Sequence, residues 1–355
     1  MYQTKCDVLK VTVGVDVGDK YSHFCFLDFD GVKIEEGRVS TTPRGIRRKF
    51  EGVPRMLVVL EVGTHSPWVS RLLADCGHEV LVANARRLRM IYCNDQKTDA
   101  VDAEMLARVG RMDPKLLYPI QHRGAGAQSD LALIRSRDAL VRARTQLVNH
   151  VRGSVKAFGS RLPSCSTPAF AQKVAEHIPD ELVGILGPVL ELIAQLASEI
   201  KESDRKIRQM AKERYPETGS LTQVTGVGDL TALCFVLTLE DPTRFHRSRS
   251  VGSYLGLTRK KRESGARQPQ LRISKAGDEM LRRLLVGSAH YILGPFGPDC
   301  DLRRWGERLA ARGGKNGKKR ALVAVARKLA VLLHSLWMSG EVYEPLRQAC
   351  LEEAA

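Results

Sequence analysis

Apolar and polar positions alternate over residues 11–29. VTVGVDV, a GDK turn and HFCFLDF read as two strands joined tightly, and KIEEGRVS supplies a third, making a meander. The run MLVVLEV (residues 56–62) is almost all apolar, as a strand covered on both faces must be, and EVLVANA (residues 79–85) resembles it. Between them residues 66–76 have helical spacing and stop at Gly77. Three antiparallel strands followed by a β-α-β unit predict a mixed sheet.

The pattern then changes period. KTDAVDAEMLARVGR is helical, with Thr98 or Asp99 near its N-cap. Ile134, Val141, Val148 and Val155 recur every seven residues, shadowed by Leu133, Leu140 and Leu147. Leu186, Val189, Ile193, Leu196, Ile200, Ser203, Ile207 and Met210 alternate three and four apart, an a/d seam. Two long helices are expected, paired with each other or with another subunit, and an ordinary helical hairpin within one domain shows the same pattern. From Leu221, LTQVTGVGDLTALCFVL places Gly226 and Gly228 between two apolar helical patterns, as in a helix-hairpin-helix whose turn amides grip a phosphate, or in a plain glycine turn between packed helices. Helical patterns over 248–257, 276–293 and 321–338 follow, interrupted by an irregular basic stretch at 258–275. The predicted fold class is α/β plus α, divided at 1–125, 126–215 and 216–345 with a tail at 346–355.

Composition narrows the partners. Lys and Arg number 56 against 40 Asp and Glu, a net charge of +16, which points to a nucleic acid or another acidic surface. The eight cysteines have no close pair and no His at zinc-ligand spacing, so free thiols in a reducing cytoplasm are expected. No uninterrupted apolar run reaches the length of a membrane span, and the first residues lack the order of a signal peptide, so a soluble intracellular protein without a membrane partner is expected.

Against this cationic background four acids stand out: Asp16 mid-strand among apolar neighbours, Glu61 at the close of another core strand, and Asp99 and Asp102 three apart on one helix face. A buried carboxylate is costly unless paired or bound to metal. Four hard oxygen donors suit one or two Mg2+ ions with positions left for phosphate oxygens. Taken singly, Asp99 reads equally as an N-cap, Asp102 as a solvated helix residue, and Asp16 or Glu61 as partners of a nearby cation.

The second constellation is basic: Arg259, Lys260, Lys261, Arg262 and Arg267 around Ser264, then Arg272, Lys275 and Arg282. Guanidinium groups close to a serine lower the cost of its alkoxide and hold phosphoryl oxygens. The same residues read as a basic loop on a phosphate backbone in which Ser264 only donates a hydrogen bond. Lys318 and Lys319, in RGGKNGKKR, are a third phosphate-contact candidate, and a solvated turn reads the same way.

Together these motifs resemble the transposases of the insertion-sequence one-ten family, the group with an Asp-Glu-Asp-Asp motif, over nearly the whole chain. GVDVGDK resembles the first acid motif, LEVGTHS the Glu motif, and KTDAVDAEMLA the paired-Asp motif. GVGDLTALCFVLTLEDPTRF, YLGLTRKKRESG and RISKAGDEMLRRLL resemble the family's transposase domain, with matching glycine spacing. Val62 and His65 depart from the small residues usual in the Glu motif.

The resemblance implies an N-terminal RuvC-like (RNase H-like) domain, a coiled-coil linker and a helical transposase domain. It implies Mg2+ on Asp16, Glu61, Asp99 and Asp102, and Ser264 as the nucleophile of a covalent phosphoserine with DNA. It further implies donor and target DNA, a structured non-coding guide RNA (a bridge RNA) and a homo-oligomer, dimer or tetramer, acting at the bacterial nucleoid in the cytoplasm. Competing readings are a metal-dependent DNA endonuclease or Holliday-junction resolvase that activates water, and a non-catalytic nucleic-acid scaffold.

Overall fold

The computed structural model describes residues 11–88, 98–265, 267, 269 and 271–347. The expected tail falls outside them from residue 348, as do Cys6, Cys93 and Cys350. The chain divides into two compact units, Met1–Arg123 and Gly124–Ala355.

The first unit is built on five strands: β1 Thr12–Val17, β2 Tyr21–Leu27, β3 Lys33–Ser40, β4 Leu57–Glu61 and β5 Glu79–Ala83, in spatial order β3-β2-β1-β4-β5. The first three pair antiparallel, whereas β4 and β5 run parallel to β1. This is the mixed sheet that the alternation predicts. Helix α1 (Pro43–Phe50) was not legible in the pattern: it is short, and its apolar signal is Ile46 and Phe50 alone, four apart. The Thr42 hydroxyl starts it by accepting from the Gly45 amide at 3.1 Å. Helix α2 (Ser66–Asp75) ends before Gly77, which takes φ +93. Helix α3 (Asp99–Met112) is capped by Thr98.

Strand periodicity gives the sheet two different faces. Val13, Val15, Val58 and Leu60 point to one, where they pack with Ile46 and Phe50 of α1 and Val69 and Leu73 of α2. The opposite face carries Gly14, Cys25, Leu57 and Val59 and is covered by α3. Its cover is close because the contact residues are small: a Cβ on Gly14 would lie 1.9 Å from the Ala103 carbonyl oxygen, and one on Gly110 would lie 2.4 Å from Val59. Lys33 ties α3 to the meander through Glu104 at 2.7 Å, and Arg111 Nε donates to the Phe29 carbonyl at 3.0 Å.

The second unit is helical among its described residues, apart from one basic hairpin. Helices α4 (Ala125–Ala157) and α5 (Asp180–Arg214) pair antiparallel with one another. At one end Asp130 meets Arg214 and Tyr215; near the other Val148, Val151 and Val155 share a core with Leu186 and Ile193. Leu186, Ile193, Ile200 and Ile207 are buried at every seventh position, so the expected seam exists on α5. On α4 it is interrupted, because the buried Arg144 lies where an apolar layer would continue.

The rest comprises α6 (Asp229–Leu239), α7 (Arg249–Tyr254), α8 (Glu279–Leu293), α9 (Asp301–Ala311) and α10 (Gly317–Ser339). Helix α6 is its centre and is buried from Thr231 to Leu239. Helix α9 had no separate signal in the sequence: the patterning of 301–311 is dominated by charge, with Leu302 and Gly306 its buried positions. By composition α5 and α10 each contain an 18-residue window of mean hydropathy 1.5. Glu191 interrupts the one, and the other buries Val325, Leu329 and Leu333 in the helical core.

Candidate functional site

Two of the four acids reach the same face of the first unit by register alone. Asp16 and Gly14 are two apart on β1 and therefore share the face that α3 covers. In the antiparallel ladder Asp16 lies opposite His23. In the parallel ladder the last pair is Val15 with Leu60, so Asp16 and Glu61 are the next step at the C-terminal ends of both strands. The other two arrive with α3, whose first turn holds Asp99 and Asp102. Asp102 is buried and Asp99 is exposed.

The electrostatics follow from this placement. The Asp16 carboxyl is pushed up to about 6, first by burial, then by repulsion from Asp99, Asp102 and Glu61, with His23 acting in the opposite sense. Three hard carboxylates whose charge opposes ionisation of a fourth, Asp16, are a donor set that a divalent cation would relieve. Among the described residues no three His, Cys, Asp or Glu side chains converge into a ready-made metal site. The two observations are compatible: Coulomb repulsion acts at separations longer than a coordination sphere. The donor chemistry fits a hard divalent cation.

Sequence reasoning passed over the histidines that surround this cluster. His23 Nδ1 lies 3.4 Å from Asp99 Oδ2 yet lacks hydrogen-bond geometry, and the atom is buried without a partner. Trp68 Nε1 donates to His65 Nδ1 at 3.0 Å, which leaves the proton on Nε2, 3.1 Å from Asp19 Oδ1. The Ser66 hydroxyl donates to the Gly63 carbonyl at 2.8 Å and accepts from the Gly63 amide, pinning the turn after Glu61. The available signal was His65 itself, which departs from the family motif; Asp19 reads from sequence as an ordinary turn residue.

Ser264 belongs to the second unit, in a stretch expected to be irregular. That stretch is a two-armed hairpin. Lys260 N donates to Arg272 O at 3.0 Å and Ser274 N to Thr258 O at 2.8 Å; nearer the tip Arg267 N donates to Ser264 O at 3.2 Å. Gly265, at φ +56, supplies the reversal beside the serine. Ser264, Arg259, Lys260, Lys261, Arg262, Arg267, Arg272 and Lys275 are all exposed. The arrangement presents a hydroxyl at the end of a cationic arm.

The root of that arm is rigid. Gly256 and Gly277 both have positive φ, and a Cβ on either would fall within 2.3 Å of backbone atoms. Arg282, expected to contact nucleic acid, is instead buried, its Nη1 donating to the carbonyls of Leu255 at 3.1 Å and Ala276 at 2.7 Å. Its geometry holds the hairpin root, because a guanidinium can satisfy several convergent carbonyls at once. Gly226 is likewise a packing residue: at φ +88 it faces Tyr291, Ser288 and Ile292 of α8. Gly228 is exposed and open at the start of α6. Lys318 and Lys319 are exposed in the first turn of α10, where the helix dipole disfavours cations and an anion would relieve them.

Comparison with known proteins gives these features a context. Residues 13–158 match a family model described as Transposase, of the IS110 DEDD type, and residues 219–296 match the model described as Transposase IS116/IS110/IS902 family. A putative transposase of Sinorhizobium fredii, y4pF/y4sB, is 30% identical over 86% of this chain and 79% of its own length. The transposase for insertion sequence element IS1111A of Coxiella burnetii is 27% identical over 93% of this chain and 90% of its own. The transposase for IS1328 of Yersinia enterocolitica is 26% identical, over 79% and 83%.

Proposed function

The chain belongs to the IS110 family of insertion-sequence transposases, enzymes that cleave and rejoin DNA, and from that premise we propose that it does so through a covalent phosphoserine at Ser264. The observation that carries this reading is a division of labour: a repelling carboxylate cluster centred on Asp16, and a hydroxyl displayed among cations at the tip of a rigidly rooted hairpin. The first unit is read as RuvC-like.

In this reading Asp16, Glu61, Asp99 and Asp102 would hold Mg2+, which would supply charge neutralisation at a scissile phosphate. Arg262 and Arg267 flank the serine and hold phosphoryl oxygens. Ser264 Oγ gives up its proton and bonds to phosphorus, and the deoxyribose oxygen leaves as an alcohol. Attack by a second DNA hydroxyl on the phosphoserine reverses these bonds, regenerates the serine and completes strand exchange. The energy of the cleaved bond is retained in the ester, so rejoining needs no external energy source.

The same reading takes a homo-oligomer acting on donor and target DNA under a guide RNA at the nucleoid. Support for assembly is the exposed apolar set Val183, Ile185 and Leu192 on α5, side chains that a second copy would cover. Support for polynucleotide partners is the net charge of +16.

The deciding experiment is denaturing electrophoresis of the protein with labelled element-end DNA and Mg2+. A DNA adduct that survives denaturation is expected for wild type and is absent for Ser264→Ala. Cleavage without an adduct, undiminished in Ser264→Ala, would replace the serine mechanism with activated water. Copurifying nucleic acid should contain one abundant structured RNA.

A further inference from the structure

The interruption of the long-helix seam opens onto a cleft. Where α4 and α5 meet the start of α6, an open cavity of about 800 Å3 is lined by Arg137, Arg144, Lys201, Asp204, Arg208 and Asp229, among others. Arg137 is already committed, with Nε 2.9 Å from Asp204 Oδ1 and Nη2 3.3 Å from Oδ2. Arg144 is not. It is only 8% exposed, and its Nε is buried with no hydrogen-bond partner. Lys201 and Arg208 stand exposed at the rim, on α5.

A buried guanidinium nitrogen without an acceptor costs on the order of 1–3 kcal/mol and is kept only where something else is gained. An apolar residue would have continued the seam here. The cleft also receives the start of α6, whose N-cap Gly228 has no side chain with which to cap the helix. Gly228 O serves the amides of Thr231 and Ala232, so the earlier amides of Asp229 and Leu230 fall in the part of a helix that has no internal acceptor. Helix amides without internal acceptors, a buried guanidinium whose Nε lacks a hydrogen-bond partner, and two rim cations converge on one ligand chemistry, a tetrahedral oxyanion.

We propose that this cleft binds a backbone phosphate of a nucleic-acid strand, with Arg144 as its buried anchor, the first turn of α6 as a backbone donor, and Lys201 and Arg208 guiding the strand across the rim. The inference rests on the family's action on DNA and not on the chemistry assigned to Ser264 or the carboxylates. The Asp229 carboxylate opposes the anion and moderates affinity, which suits a strand that must later be released. Phosphate is common to DNA and RNA, so the site reads neither base nor sugar.

The test uses the full chain in chelator, where no cleavage occurs, so failure of the serine mechanism leaves it untouched. Anisotropy of labelled single-stranded DNA and RNA is measured over a salt series. Arg144→Met, which keeps length and volume, should weaken both by about tenfold and lower the slope of log affinity against log salt by about 0.7, the loss of one phosphate contact. The pair Lys201→Ala with Arg208→Ala should weaken binding with unchanged melting temperature. Asp229→Asn should strengthen binding about threefold through the removed repulsion, a gain that misfolding cannot mimic. Unchanged affinity and slope in folded Arg144→Met, or weaker binding in Asp229→Asn, would overturn the proposal. So would inorganic phosphate protecting wild type but not Arg144→Met against heat while oligonucleotide affinity is the same for both, since the ligand would then be free phosphate.

Discussion

Gly14 of β1 lies directly beneath Ala103 of α3, so close that a Cβ on Gly14 would come 1.9 Å from the Ala103 carbonyl oxygen. This contact sets the height of α3 above the sheet, and therefore the reach of Asp99 and Asp102 towards Asp16, two residues beyond Gly14. Gly14→Ala should lift the helix, cost about 2–4 kcal/mol and reduce DNA cleavage more than its loss of stability explains. Gly153→Ala, at a helical position with open space, is the matched control and should be neutral or stabilising by about 0.5–1 kcal/mol. Chemical denaturation and cleavage assays of the two variants check both.

Asp16 provides a pH-dependent signature. Its carboxyl binds a proton more tightly folded, at about 6, than unfolded, near the ordinary value of 3.8. Such a group costs no stability below the lower value, and stability falls as pH rises between the two, since the folded state then holds the proton that the unfolded chain has lost. A shift of this size in a fully shielded group corresponds to about 3 kcal/mol, and the partial exposure of Asp16 reduces the effect to about 1 kcal/mol. Asp16→Asn should therefore stabilise the metal-free protein near pH 7, lose that advantage below about pH 4, and abolish cleavage. Mg2+ should raise the melting temperature of wild type and not of the variant.

Arg282 should behave as part of the frame. Arg282→Met leaves the carbonyls of Leu255 and Ala276 without their donor and should cost about 2–4 kcal/mol in urea unfolding. Limited proteolysis should then cut the hairpin over residues 258–275 faster than in wild type. A phosphate-contact residue would instead change the salt dependence of DNA binding and leave the urea midpoint where it was.

Tyr215 reports on the closed end of the helix pair. Burial first, and then its 2.6 Å hydrogen bond to Asp130, push the phenol up to about 12. The folded state keeps the phenolic proton while the unfolded chain loses it near 10, so the stability this bond contributes is present below pH 10 and lost as pH rises towards 12. Ultraviolet titration of wild type against Asp130→Asn should show one tyrosine moving to lower pH in the variant.

The two periodicities of the chain were enough for its architecture. Alternation through VTVGVDV and HFCFLDF, the solid apolar runs of β4 and β5, and seven-residue spacing on α5 specify a mixed sheet followed by long helices, because side-chain direction is fixed by local backbone geometry. The places of the acids were legible for the same reason: Asp16 lies within β1 and Glu61 closes β4, and Asp99 and Asp102 share one helical turn. Helix α1 escaped because eight residues with two apolar positions carry too little period to read.

What the sequence determined by itself is the type and order of most elements and the local clustering of acidic and basic groups, since both are properties of short stretches of chain. Only the tertiary structure decided which groups meet. His23 faces Asp16 because of a strand register, Arg282 turns inward because a loop root offers it carbonyls, and Arg144 lies buried beneath a cleft, its Nε without a partner, because two helices and the start of a third converge on it. Each of these depends on contacts between residues far apart in sequence, whose energies are set by distance and exclusion of water rather than by local pattern.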